Sequence, residues 1–580
     1  MKLTPQEIAR AVSGVALDER RLAMARLARS ETGQSGSAAR SETGQSGGAA
    51  RSETGQSGGA ARSETGQSGG AARSETGQSD DRTGHVLLTS VAIDSRQAGP
   101  GSLFVALPGE RTDGHDYVAH AFSRGAQMAL VGRPVEAPGV LIDVRPLGAP
   151  EQAQESSIWE AMQAAVAAGQ PVCLWVDDPM LALQRIATAW RARFNPRVVG
   201  ITGSVGKTTT KEITAAVLRQ RFVTLKNPGN QNNEIGLPLT VLELNEQHQM
   251  MVLEMGMYDV GEIAQLCRIA RPHVGVITNI GPVHLERLGS MERIVQAKTE
   301  LVQALPADGV AVLNADDPLV AGMASQTQAR VFWYGLTPPA GRVGSRIETA
   351  GHNPAGRVGS RIETTDYLWA DEIESEGLDG IRFRFHYQGD VLHVRAPLLG
   401  RHSVHTALRA AAVGLVEGLS WEEIVRGMQQ LDVQLRLIAA RGLNGATLLD
   451  DTYNASPAST MAALNLLADL PVHNGRRIAV LGDMLELGSY EEEGHRKVGV
   501  RAADVVDLLV TVGQRARLIA EEALAAGLPA GRVLALANAQ AALAELRSIL
   551  GPGDVVLVKG SRAVHMDDIA TALTEQNDDR

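Results

Sequence analysis

A three-domain α/β architecture is the fold class this chain predicts, and three observations carry it. Its 580 residues exceed what one hydrophobic core supports. Short apolar strands alternate with helical runs along most of its length, the pattern of largely parallel sheets covered by helices. At the centre, a glycine turn between an apolar strand and a helix marks a mononucleotide-binding unit.

The expected domains span residues 1–190, 191–435 and 436–580. In the first, strands are expected in VLLTSVAIDSR, SLFVALPG, QMALVG and VCLWVDD, giving a small α/β unit. The second opens with RVVGIT and the helix after Lys207, then continues the alternation. The third repeats it through ATLLDDTY, RRIAVLGDM, VVDLLVTVG, VLALAN and DVVLVKGS, a doubly wound, Rossmann-like pattern.

Three segments interrupt this scheme. SETGQS recurs from Ser30, Ser41, Ser52, Ser63 and Ser74. An eleven-residue period can encode a right-handed coiled coil, but only with an apolar stripe. This unit offers only alanine, so residues 30–79 read as a flexible insertion. GRVGSRIET occurs at 341–349 and 356–364, an expanded loop or a hairpin. Residues 147–170 end in an alanine-rich amphipathic helix and read as a third insertion.

Composition narrows the function classes. The apolar fraction is 44%, suited to a globular protein, while 3% aromatic residues leave the cores to Ala, Val, Leu and Ile. A net charge of −11 argues against a dominant nucleic-acid surface. Anionic small molecules remain compatible, because a few local cations decide their binding. Cys173 and Cys267 are the only cysteines, too few for a disulfide framework, which fits a reducing cytoplasm. No run of about 18 apolar residues predicts a membrane span, and the amino-terminal residues lack an apolar signal core.

The stretch VVGITGSVGKTTTKE, residues 198–212, departs from G-x-x-x-x-G-K-[ST], because Ile201 stands where that pattern needs glycine. Ile201 reads instead as the end of the feeding strand. Gly203, Ser204, Val205 and Gly206 then form the turn, whose N–H groups and helix dipole favour an anion. Lys207 is placed to reach the outer phosphates of ATP and Thr208 to ligate Mg²⁺, with Thr209 beside them.

Further motifs agree with this turn in order and spacing. They are NQNNEIGLPLT (230–240), LEMG (253–256), NIGPVHLE (279–286), AKTE (297–300) and LNADDP (313–318). Together with TGSVGKTTTKE they resemble the Mur ligase family, which builds the bacterial cell-wall peptide. LLDDTYNASPAST (448–460), LGDMLELG (481–488) and DSRQAGPGSLFVALPGERTDGHDY (94–117) resemble the branch that adds a D-alanyl-D-alanine dipeptide to a UDP-N-acetylmuramoyl-tripeptide. The resemblance implies an ATP-dependent amide ligase working through an acyl phosphate, with small-molecule substrates, no nucleic acid, and a monomer whose domains close. The alternatives are a diaminopimelate- or lysine-adding member and a folylpolyglutamate synthase-like enzyme.

The resemblance also assigns residues. Lys207, His284, Lys298 and Arg436 are the expected catalytic set, with Arg436 on the γ-phosphate after closure. Thr208, Glu254, His284 and Lys298 would hold two Mg²⁺ ions, Lys298 as a carbamate. Carbamate formation needs a neutral amine, which burial favours. Asn314 and Asp317 would sit near adenine and ribose, and Asn232 and Asn233 near the substrate. Ser95, Arg96, Gly109 and Arg111 are candidates for the uridine diphosphate end. Asp451, Tyr453, Asn454 and Lys559 are candidates for the dipeptide. LLGRHSVHTAL (398–408) resembles the family's G-x-H-N-x-x-N helix start, but Ser403 and Thr406 replace the asparagines.

Overall fold

The computed structural model describes residues 1–13, 87–109, 112–145, 152–338, 366–430, 438–472 and 474–574. The SETGQS repeats, the GRVGSRIET duplication, Arg111 and Arg436 lie outside them.

Three sheets follow one another along the chain, and all three are largely or wholly parallel, as the alternation predicts. The first contains β1 (Ser90–Ala92), β2 (Ser102–Val105), β3 (Met128–Val131), β4 (Val140–Asp143) and β5 (Val172–Trp175). Its order is β1-β2-β3-β5-β4, all parallel. β4 was not expected, and it corrects the reading of 147–170 as an insertion. Parallel neighbours cannot be joined by a tight turn, so β4 must reach β5 through a crossover. The helix Gln152–Ala167 is that crossover, and it buries Met162 and Ala165 in the core.

The central sheet is built from β6 (Arg197–Thr202), β7 (Thr224–Lys226), β8 (Met250–Glu254), β9 (Val274–Ile277), β10 (Val310–Asn314) and β11 (Arg330–Gly335). It continues through β12 (Tyr367–Ser375), β13 (Ile381–Tyr387) and β14 (Asp390–Ala396). The order is β14-β13-β12-β11-β10-β9-β6-β8-β7, with only β12–β13–β14 antiparallel. Every residue of β8 is buried, as expected of a strand covered on both faces.

The third sheet has β15 (Ile438–Arg441), β16 (Thr447–Asp451), β17 (Arg477–Gly482), β18 (Leu508–Val512), β19 (Val533–Leu536) and β20 (Val555–Lys559). Its order is β15-β16-β20-β17-β18-β19, parallel except for the edge strand β15.

The first two units share a core. One buried cluster runs from Leu3 and Ile8 through Leu183 and Trp190 to Leu237, Met251 and Leu301. The helix Pro179–Arg191 forms the seam. Trp190 Nε1 donates to Leu244 O (3.0 Å), and the buried Arg191 Nε donates to Ala270 O (2.9 Å). The third sheet has its own clusters on its two faces, and it meets the central unit through contacts that include Leu399 against the third unit's core and His284 against Glu486.

Candidate functional site

β6 delivers Ile201 fully buried, paired with Glu254 and Val276, so the missing glycine belongs to a strand and not to the turn. The turn starts at Gly203, whose φ is 143°. A Cβ there would lie 1.9 Å from Thr278 Oγ1, so only glycine fits. Gly206, with φ 85°, caps the helix Lys207–Leu218. The turn is braced from the segment after β9. Val205 N donates to Asn279 Oδ1 (2.9 Å), Gly281 N donates to Ser204 Oγ (2.8 Å), and Thr278 Oγ1 donates to Val205 O (2.7 Å). Val205 N–H is therefore engaged in holding the loop's shape.

Lys207 folds back over the turn, with Nζ 2.9 Å from Gly203 O. Lys298 reaches the same carbonyl from the helix Met291–Gln303, at 3.1 Å, and is 2% exposed. Burial, helped by the neighbouring Lys207, holds the Lys298 ammonium well below lysine's ordinary value. A shift in that direction favours the neutral amine.

Glu254 ends β8 in complete burial. Its Oε1 accepts from Asn232 Nδ2 (2.8 Å), but its Oε2 is buried without a hydrogen-bond partner. A buried carboxylate oxygen left without a donor is where a hard cation fits. The nearest cation is Lys211 Nζ at 3.9 Å. Asn227 clamps the strand end, accepting from Glu254 N (2.9 Å) and donating to Glu254 O (3.0 Å). Lys211, fully buried, donates to Asn227 O and Gly229 O, tying the phosphate-loop helix to the asparagine-rich turn. Asn233 Oδ1 accepts from Gly236 N (2.9 Å) and serves the start of the helix Gly236–Leu242.

His284 holds a left-handed backbone, φ 56°, ahead of the helix Leu285–Leu288. Its Nδ1 lies 2.5 Å from Glu486 Oε2, across the boundary between the central and third sheets. Glu486 is also left-handed, φ 63°. Burial pushes the His284 imidazole below its ordinary value, against the opposing pull of the Glu486 carboxylate. The Tyr258 ring packs edge-on against His284 with centroids 5.1 Å apart. Gly488 completes the junction: a Cβ on it would sit 2.9 Å from the Glu286 backbone.

From the third sheet, Lys559 Nζ donates to Asp451 Oδ2 (2.7 Å) and Asn454 O (2.8 Å). Lys559 is buried and Tyr453 half-open to solvent. One cleft of about 480 Å³ is lined by Ser204, Val205, Gly206, Lys207 and Thr209, by Asn232, Asn233, Glu254, His284 and Lys298, and by Asp451, Tyr453, Asn454 and Lys559. The carboxyl ends of β6, β8, β16 and β20 converge on it, the ligand-binding edge of such sheets.

Other expected residues stand apart from that cleft. Asp317 caps the helix Pro318–Gly322 and accepts from Ile280 N (2.9 Å), and Asn314 Oδ1 accepts from Asp316 N (3.0 Å). In the first unit, Ser95 Oγ bonds His120 Nδ1 (2.9 Å), Arg96 pairs with Asp94 (2.7 Å), and Gly109 N donates to Thr112 O (3.0 Å). Sequence reasoning missed Lys211, Asn227, Glu486 and Gly488. Glu486 and Gly488 lie inside the quoted LGDMLELG, but nothing local shows that they meet His284 some 200 residues away.

The cleft joins a phosphate loop on one sheet to a polar pocket on another, which defines a nucleotide-dependent ligase architecture. Comparison with known proteins agrees. Residues 87–191 match the Mur ligase family catalytic domain, 201–414 the Mur ligase middle domain, and 435–562 the Mur ligase glutamate ligase domain. The chain belongs to the Mur ligase family. It is 38% identical to the UDP-N-acetylmuramoyl-tripeptide–D-alanyl-D-alanine ligase of Mycobacterium tuberculosis, over 83% of this chain and 92% of that one. It is 35% identical to the Bacillus subtilis enzyme of the same name, over 84% and 94%. Among solved structures, MurF from Acinetobacter baumannii superposes with a TM-score of 0.67 at 30% identity, over 84% and 94%. MurF from Thermotoga maritima in complex with ADP gives 0.64 at 25%, over 84% and 97%.

Proposed function

We propose that this chain is an ATP-dependent amide ligase that adds D-alanyl-D-alanine to UDP-N-acetylmuramoyl-tripeptide in peptidoglycan synthesis. The observation that carries the reading is the single cleft holding Lys207, Glu254, His284 and Lys298 opposite Asp451, Tyr453 and Lys559. The three units act as domains bounded near residues 190 and 435. The first would take the uridine diphosphate end through Ser95, Arg96, Gly109 and Arg111. The protein works as a monomer.

The chemistry has two steps. A tripeptide carboxylate oxygen attacks the γ-phosphorus of ATP, the bond to the β–γ bridging oxygen breaks, and ADP leaves with that electron pair. The dipeptide amine then attacks the acyl carbon, phosphate departs from the tetrahedral intermediate, and the amine loses its proton. Both steps bring anions together, so positioning and charge neutralisation dominate. The Gly203–Gly206 turn and Lys207 hold the phosphates. Thr208, Glu254, His284 and a carbamylated Lys298 would hold Mg²⁺, for which the orphaned Glu254 Oε2 is the fitting donor. Mg²⁺ supplies, when bound, neutralisation of the phosphate oxygens. Arg436 would complete the γ-phosphate contacts, with Asn314 and Asp317 on the nucleoside side and Asn232 and Asn233 at the acceptor. The Lys559–Asp451 pair suits a zwitterionic dipeptide, its carboxylate drawn to the lysine and its ammonium to the aspartate.

The test supplies ATP, Mg²⁺, UDP-N-acetylmuramoyl-tripeptide and D-alanyl-D-alanine, and follows phosphate and the UDP-linked pentapeptide. Stoichiometric release of both is expected. Phosphate without pentapeptide would defeat the substrate assignment.

A further inference from the structure

Beneath the phosphate turn lies a charge that no described residue neutralises. Arg409 projects from the helix Val404–Val416 and is 4% exposed. Its Nη2 donates to Thr406 Oγ1 (2.9 Å), and its guanidinium carbon sits 5.9 Å from the centre of the Tyr334 ring. Its Nε is buried without a partner. Among the described residues no carboxylate acts on it, and burial pushes its guanidinium below the ordinary value with Tyr334 alone opposing. A Cβ placed on Gly206 would lie 3.5 Å from Arg409 Nη2, so the guanidinium touches the turn that caps the phosphate-loop helix.

That placement is unfavourable in an empty protein. A buried cation without an anion is among the costliest arrangements a fold can keep. The positive end of the helix Lys207–Leu218 faces it, which adds to the cost. A polyanion settling on the turn offsets both, since it attracts the buried guanidinium and the positive helix end alike. Thr406 provides the connection to the cleft it lines. Its hydroxyl oxygen accepts from Arg409, so its own proton remains free to donate outward. Ser403, one turn earlier, donates to Leu399 O (2.6 Å) and is turned away from that task.

We propose that Arg409 is a built-in counter-charge for the nucleotide phosphate chain, a positioning residue acting through the Gly206 turn and the Thr406 hydroxyl. The proposal rests on residues 203–209 being the nucleotide site and adds a cation that the loop motif does not specify.

The test titrates ADP with Mg²⁺ calorimetrically against the full-length wild type, Arg409→Met, Arg409→Lys and Thr406→Val, and records each ligand-free melting temperature. Arg409→Met is expected to weaken ADP about 10- to 100-fold, the range for a charged hydrogen-bonding group. KM for ATP should rise in step, with a smaller change in kcat. The ligand-free melting temperature should hold or rise, because an uncompensated buried charge is gone. Arg409→Lys should restore most of the affinity, and Thr406→Val should lower it severalfold. Wild-type ADP affinity in Arg409→Met would overturn the proposal, as would a lowered ligand-free melting temperature with affinity intact. Should Arg409→Met not fold, unchanged affinity in both Arg409→Lys and Thr406→Val overturns it equally. A wild type that binds ADP but makes no pentapeptide would sink the substrate assignment, while the Arg409 comparison still decides the counter-charge.

Discussion

Replacing Gly488 by alanine tests whether the third sheet's docking sets the geometry at His284. Gly488 has φ 54°, a conformation that costs alanine about 1–2 kcal/mol. Its new Cβ would stand 2.9 Å from Glu286 N and Cα, whereas ordinary contact begins at 3.4 Å. Those are backbone atoms and cannot swing aside. The two units must therefore separate by about 3.4 − 2.9 = 0.5 Å. The same loop carries Glu486, which sits 2.5 Å from His284 Nδ1 and accepts from Glu286 N at 3.3 Å. A shift of 0.5 Å takes both contacts out of their best range. A misplacement of about 1 Å near reacting groups can cost about 100-fold, so about tenfold in kcat is expected here. ATP binding should change little, because the phosphate turn belongs wholly to the central sheet. The assay measures kcat and the KM for ATP at saturating acceptor and dipeptide, with circular dichroism confirming a folded population. A folded Gly488→Ala enzyme with wild-type kcat would refute the reasoning. Glu486→Gln, which keeps the shape and removes the charge, should lower kcat in the same direction.

Three further outcomes follow from the geometry. Lys207→Ala should abolish turnover while leaving the melting temperature close to wild type, since the Lys207 ammonium donates to the turn carbonyls of Gly203 and Ser204 at the open cleft; near-normal turnover would contradict the phosphate-loop role. With ¹³C-bicarbonate, the wild type should give a protein-bound carbamate resonance that Lys298→Ala lacks, and activity should fall when CO₂ is stripped and return on its addition. Burial raises the Cys173 thiol to about 11 and Cys267 to about 12. Both should resist a thiol reagent at pH 8 and react only on unfolding. The sign follows from the raised folded values. Their contribution to stability is complete below the unfolded thiol value of about 9 and is lost as pH climbs through 11 to 12.

Local patterns revealed the parallel strands, because an apolar run between turn residues needs no distant partner to be read. They revealed the phosphate turn for the same reason, down to Ile201 as a strand residue. β4 escaped because VLID, with only Ile142 buried, is a short edge strand. The helix Gln152–Ala167 was misjudged with it, since a crossover is recognisable only once both of its strands are known. The antiparallel β12–β14 extension escaped because the alternation argues only for a mostly parallel sheet and does not say which strands depart from it. At the site, sequence singled out many side chains that line the cleft, such as Lys207, Glu254, His284 and Lys298, but not the ones that hold them. Asn227 clamps Glu254 from the turn after β7, and Lys211 holds Asn227 from the phosphate-loop helix, elements that only the fold brings together. Nothing local in the alanine-rich helix Val404–Val416 sets Arg409 apart. Its burial against Gly206 is a property of the packing between two helices.

The seam at Trp190 has a consequence for substrate choice. Because the first and central units share one buried core, their separation cannot adjust to what is bound. The frame they form behaves as a fixed gauge. An acceptor held by its nucleotide on the first unit, as proposed, would present its carboxylate at the Glu254 end only when the peptide between has the right reach. Length would then be measured by the protein's skeleton, leaving the third sheet free to attend to the incoming dipeptide alone.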